Sequence, residues 1–163
     1  MLAYVGATWT SSTSNKDKEH GELRLTGLSA KGDKAVLRHP FTPPIAGDGD
    51  HHWIGQLGGI AAHNGLLVAA FNKLGTLLFV DAREGKVLGE APLKSPRGLA
   101  FDAQGRLLVL SEFKLLRITL DAAAPAKLAV PQTLVADGLL DPQGITLDDT
   151  GRIYVSDRGT SNQ

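Results

Sequence analysis

An all-β chain built from repeated four-stranded antiparallel blades is predicted by three observations. First, a phrase recurs: Pro96–Ser111 aligns without a gap on Pro142–Asp157, with Gly98 and Gly144 lying 46 residues apart. A looser copy, Gly59–Ala70, begins 39 residues upstream of Gly98. Second, the copies carry the same turn, Asp102-Ala103-Gln104-Gly105 and Asp148-Asp149-Thr150-Gly151. Asp at the head of such a turn caps backbone N–H groups, and Gly at its end accepts positive φ. Third, short apolar runs alternate with turn residues along the chain, and 19 of its 163 residues are glycine. A period of about 40–50 residues made of short strands is the signature of a β-propeller blade.

Each repeat divides into strands a to d. Strand a is Gly59–Ala62, Gly98–Phe101 and Gly144–Leu147. Strand b follows the turn, as Leu66–Ala70, Arg106–Leu110 and Arg152–Ser156. In the first of these copies the turn is the shorter His63-Asn64-Gly65, whose Asn-Gly suits a type I′ hairpin. Strand c is Gly75–Asp81 and Lys114–Leu120; strand d is Lys86–Ala91 and Gln132–Ala136. Toward the N-terminus, Ala3–Ala7 reads as b, Gly21–Leu28 as c and Lys34–Arg38 as d. The predicted units are residues 1–47 (b to d), 54–95, 96–141 and 142–163 (a and b), a single partial propeller of about three blades. Two loops exceed what the repeat requires, residues 9–20 and 39–57. Loops of such length are commonly functional or disordered.

An incomplete ring raises the question of its completion, because closed propellers need at least four blades. A fragment of a longer protein, a head-to-tail homodimer and an open arc all satisfy the count. The fragment is favoured, because a homodimer would duplicate strand b at each junction.

Composition narrows the function. Lys plus Arg and Asp plus Glu number 17 each, so the formal charge is zero. A neutral chain carries no electrostatic footprint for nucleic acid or an anionic membrane. With no cysteine there is no disulfide framework, thiolate metal site or cysteine nucleophile. No apolar run approaches the length of a membrane helix, and no signal-peptide pattern follows Met1. A Gly-x-Ser-x-Gly elbow, a Gly-rich phosphate loop and a dinucleotide fingerprint are all lacking, which disfavours nucleophilic hydrolysis and phosphoryl transfer.

The phrase Pro-x-Gly-[Leu/Ile]-x-[Phe/Leu]-Asp-x-x-Gly-Arg-[Leu/Ile]-x-Val resembles the NHL repeat, most closely over Pro142–Asp157. It is also similar to blades of the six-bladed gluconolactonase- and regucalcin-like propellers. The resemblance implies blades around a central channel, strands a innermost, and ligands on the face carrying the d–a and b–c loops. It also implies an extracytoplasmic location. One departure stands out. The family Asp two residues after the strand-b valine is present only as Asp157, with Ser111, Ala70 and Ala7 read as its counterparts. Lactonase-like relatives ligate a divalent metal with one Glu and Asn or Asp residues. Glu112, Asn72 and Asp157 lie near such places but do not match that site residue by residue.

Asp48, Asp50, His51 and His52, with His20 on the neighbouring loop, form the densest set of metal-ligating groups. Imidazole with carboxylate suits Zn, Mn or Fe. A Gly/Asp turn with solvated histidines is the favoured reading of the same residues, since adjacent imidazoles seldom share one ion. Trp9 and Trp53, in the two long loops, are candidate sugar or peptide platforms or plugs between blades. Asn72, Arg97, Glu112, Asp157 and Arg158 are expected to project on the same face as a polar funnel or a solvated rim. Asp102, Asp148 and Asp149 lack EF-hand spacing and are expected to cap turns. These features together predict a binding module for a protein or carbohydrate ligand, with no cofactor beyond a candidate divalent metal. The alternative is a metal-dependent lactonase- or lyase-like enzyme completed by further blades or a second chain.

Overall fold

The computed structural model describes residues 57–84 and 86–159 in full and residues 3–10, 20–28 and 35–41 as backbone strands. Thirteen strands run through the described residues: β1 (Ala3–Thr10), β2 (His20–Leu28), β3 (Ala35–Phe41), β4 (Leu57–His63), β5 (Leu66–Phe71), β6 (Thr76–Asp81), β7 (Lys86–Pro92), β8 (Pro96–Phe101), β9 (Leu107–Ser111), β10 (Lys114–Ile118), β11 (Gln132–Val135), β12 (Pro142–Leu147) and β13 (Ile153–Asp157). They pair as four antiparallel meanders: β1-β2-β3, β4-β5-β6-β7, β8-β9-β10-β11 and β12-β13. This is the arrangement of a partial β-propeller, with the predicted strand phase.

The turns form for the reasons read from their residues. Asn64 and Gly65 both hold positive φ, 48° and 85°, as a type I′ hairpin requires. Asp102 Oδ1 accepts the backbone N–H groups of Gln104 (3.0 Å) and Arg106 (2.9 Å). Asp148 Oδ1 repeats this with Thr150 and Arg152, each at 2.9 Å. Asp81 Oδ1 does the same in the c–d turn, accepting from Arg83 and Glu84.

Three placements differ from expectation. Trp9 is a strand residue, paired with Gly21 in β1–β2, and His20 opens β2 opposite Thr10. Aromatic and β-branched residues favour extended pairing, so this hairpin runs further than its polar sequence suggested. His39, Pro40 and Phe41 likewise extend β3. Third, Leu57 pairs with Phe71 as Pro96 pairs with Ser111 and Pro142 with Asp157. Phe71, not Ala70, is therefore the counterpart of Asp157. The His63-Asn64-Gly65 hairpin is one residue shorter than the Asp-headed turns, which shifts the alignment of β5 by one.

Sheets buried on both faces read as continuous apolar runs, and the central strands here do so. Every residue of β9 is buried, as is all of β5 after Leu66. Alternate side chains serve opposite interfaces. Val68, Ala70, Leu77 and Phe79 face Leu99, Leu107, Val109 and Ile118 of the following blade. Leu108, Leu110 and Leu115 face onward, against Ile145, Leu147, Ile153 and Val155. Complete burial of a side chain such as Phe79 contributes about 2–3 kcal/mol. Tyr154, which repeats the position of the fully buried Leu108, is 50% exposed.

The innermost strands β4, β8 and β12 lie side by side, and glycine sets their spacing. A Cβ on Gly59 would stand 2.7 Å from the Arg97 carbonyl oxygen and 3.2 Å from Gly98 Cα. One on Gly98 would stand 2.9 Å from the Gln143 oxygen and 3.0 Å from the Ile145 nitrogen. Both obstacles are backbone and cannot rotate away. At Gly144 a Cβ would meet only Ser156 Oγ, at 3.0 Å, a group that can turn aside. Gly98→Ala is therefore expected to destabilise the chain by about 1–3 kcal/mol, with Gly144→Ala staying within about 1 kcal/mol of the parent. Urea unfolding of the two variants checks this, and equal losses would refute the backbone-contact account.

Candidate functional site

The b–c turns and d–a loops are hydrogen-bonded to each other at one end of the blades. Glu112 N–H donates to the Ser95 carbonyl (3.4 Å) and Arg158 N–H to the Asp141 carbonyl (3.2 Å). Ser111 Oγ donates to the Lys94 carbonyl at 2.6 Å. Glu112 and Ser95 both hold positive φ, 54° and 44°. Non-glycine residues adopt this conformation at a cost of order 1 kcal/mol or more, and here they are held by each other.

Asp157 performs the corresponding task in the next repeat. Its carboxylate accepts the backbone N–H groups of Leu140 (2.7 Å), Asp141 (2.8 Å) and Gly159 (2.9 Å). Those bonds, Gly159 foremost, hold its pKa below the ordinary aspartate value. Asp157 thus ties the d–a loop to the b–c loop, and its oxygens are already engaged. Glu112 is paired with Lys94.

Arg97, Arg158 and Asn72 converge. With Lys73 and Gln143 they line a cavity of about 230 Å³ whose floor includes Leu57 and Gly58. The repeat explains this convergence. Gly58, Arg97 and Gln143 occupy one position in successive blades, the residue before the close-contact glycine. Asn72, Glu112 and Arg158 occupy another, the first residue of the b–c turn. Lack of a side chain at Gly58 leaves room beside Arg97. A Cβ there would stand 2.9 Å from the Pro96 oxygen and 3.0 Å from Arg97 Cα.

Asp141 organises the cations. Arg97 Nη1 donates to Asp141 Oδ1, and also to the Pro142 carbonyl at 3.3 Å. Arg158 Nε donates to Asp141 Oδ2 at 2.6 Å, with its Nη2 alongside. Gln143 Nε2 completes the set, 2.8 Å from Asp141 Oδ1. These partners, Arg158 first and then Arg97, hold the Asp141 carboxyl well below its usual range. Asp141, Gln143 and Lys73 were not singled out from sequence. Alignment of Gln143 on Arg97, and of Asp141 on Ser95, was the available signal for two of them.

Neutral amides, three cations and one fully engaged carboxylate can recognise and orient a polar ligand. Larger hollows lie elsewhere. One of about 440 Å³ opens on the opposite face among His63, Asp81, Arg83 and Gln104. Its carboxylate, Asp81, caps its own turn. Another, about 550 Å³, is an outer groove lined by Pro92, Leu93, Leu128 and Val130. Neither gathers side chains from three repeats. Trp53, Asp48, Asp50, His51 and His52 lie outside the described residues, and Trp9 and His20 are described only as strand backbone.

Comparison with known proteins agrees with this architecture. The NHL repeat family model matches residues 139–162. The curated proteins offer no match. Among solved structures, the chain is similar to Myxococcus xanthus glutaminyl cyclase, at 14% identity and TM-score 0.52, over 94% of this chain and 68% of that one. It is similar to virginiamycin B lyase from Staphylococcus aureus, at 11% identity and TM-score 0.51, over 88% of this chain and 53% of the other. A third likeness is to the β-propeller domain of Myceliophteria thermophila Cps50 (Swd1), at 15% identity and TM-score 0.52, over 84% and 51%. The chain therefore spans about half the length of the last two.

Depressed carboxylates make stability depend on acid in a defined direction. Asp102, Asp141, Asp148 and Asp157 all have folded-state pKa values below the ordinary one. Their contribution is present above the unfolded value, about pH 4, and is lost as pH falls through the folded values. Thermal midpoints are expected to be level above about pH 5 and to fall below about pH 4. Asp157→Asn should flatten that fall, and an unchanged acid limb in the variant would remove Asp157 from the account.

The sheet order, the strand phase and the likeness to solved propellers agree: this chain has the β-propeller fold, with an NHL repeat at residues 139–162.

Proposed function

We propose that the chain is an NHL-like propeller binding module whose protein or carbohydrate ligand sits on the face carrying the d–a and b–c loops. The observation that carries this reading is the cavity to which three successive repeats contribute Asn72, Arg97, Gln143 and Arg158. Two further features of that face suit recognition. Phe113, in a b–c turn, and Leu140, in a d–a loop, are both exposed and offer a ligand apolar contacts beside the polar groups. The loops beneath are cross-tied by Ser111 and Asp157, so the surface is preorganised and little ordering opposes binding.

The test screens a panel of peptides and oligosaccharides against the full chain by ligand-observed NMR. Compounds that bind should be recovered unchanged, and Asn72→Trp, which fills the cavity, should abolish their signals. A ligand that binds Asn72→Trp undiminished would place recognition elsewhere. A stoichiometric divalent ion in the purified protein, lost together with turnover of a panel compound on replacing His51 and His52 by Ala, would replace the module by a metal-dependent enzyme.

A further inference from the structure

We infer that the cavity at Arg97 takes an oxyanion, the carboxylate or phosphoryl group of a small ligand; this deepens the binding-module reading and rests on it. Lys73, Arg97 and Arg158 line one space of about 230 Å³. Among the described residues, the acid in contact with the two arginines is Asp141, and its two oxygens already accept from Arg97, Arg158 and Gln143. Among the described residues, three positive charges therefore face one negative charge, and that charge is shared by two guanidinium groups. The excess attracts an anion and repels a divalent cation.

The donors suit this ligand in kind as well as in charge. Among the described residues, Arg97 bonds through Nη1 alone, which leaves the rest of its planar fork for a two-oxygen acceptor. Its side chain is only 28% exposed, so its field is screened less than that of a surface arginine. Asp141 fixes both guanidinium groups before a ligand arrives, while Lys73, exposed on the b–c turn, adds a mobile ammonium. Asn72 and Gln143 offer amides for the uncharged remainder of the molecule. Two other acids of this face, among the described residues, are engaged elsewhere. Glu112 pairs with Lys94, and Asp157 holds backbone N–H groups. Charge is also unevenly distributed around the repeat. The position occupied by Arg97 is Gly58 and Gln143 in its neighbours, and that of Arg158 is Asn72 and Glu112. The two arginines come from consecutive blades and meet on a single carboxylate.

Titration calorimetry of the full chain at about 20 mM ionic strength, with inorganic phosphate, succinate and glucose as probes, decides the matter. Saturable one-to-one binding of phosphate or succinate is expected, without binding of glucose, and about 0.15 M salt should weaken it markedly. The tighter of the two anions assigns the group as phosphoryl or carboxylate. Arg97→Gln should weaken binding more than about tenfold. Lys73→Gln, at an exposed position with no fold-supporting bond described, should weaken it about three- to tenfold. Circular dichroism checks that each variant is folded. Affinities unchanged in Lys73→Gln and in folded Arg97→Gln would overturn the inference. So would failure of both anions. If, in that case, a neutral panel compound is still displaced by Asn72→Trp, the binding site stands and only its charge preference falls. If no compound binds there, the module reading falls as well.

Discussion

The close approach of the inner strands is the constraint on which the rest of the structure depends. Gly59 and Gly98 admit the neighbouring backbone to within about 3 Å of where a Cβ would sit. With that spacing, Val68 and Phe79 reach Leu107 and Val109 across one interface, and Leu108 and Leu110 reach Ile145 and Val155 across the next. Wider spacing at the axis would open both cores together, because close-packed interiors transmit displacement. The same spacing brings residue 97 beside residue 58 and residue 143 beside residue 98, and so builds the wall of the cavity.

Rigidity at the loop face has a separate origin. Side chains in strand b reach across to the d–a loop, Ser111 to the Lys94 carbonyl and Asp157 to the N–H groups of Leu140 and Asp141. One repeat uses a hydroxyl as donor, the next a carboxylate as acceptor, and the earliest fully described blade has Phe71 in that place. Two repeats thus share the task with different chemistry, Phe71 packs into the core instead, and the acid version makes the fold sensitive to pH. Asp141 adds a second tie through Arg97 and Arg158. A cavity so supported would need little rearrangement in the binding role proposed above.

Local chemistry was legible at residue level. Asp-headed turns ending in Gly, the Asn64-Gly65 hairpin and the apolar runs of β5 and β9 were read correctly, because each depends on φ preference and two-residue periodicity. The hairpin β1–β2 was read too short, since polar Ser and Thr residues give no sign of where pairing stops. The role of Asp157 was misjudged for a related reason. An aspartate at a loop looks like a ligand until its three backbone donors are located, and these lie up to 17 residues away.

The sequence by itself determined the blade, its strand phase and its turns, because these are repeated, short-range features that one chain segment can specify. It also named Asn72, Arg97 and Arg158 as residues of one face. Only the tertiary structure decided which of them meet. Arg97 reaches Asp141 across 44 residues, and no periodicity encodes that contact. It arises because two blades pack at a glycine-set distance, leaving a cavity at Gly58 and closing two guanidinium groups on one carboxylate.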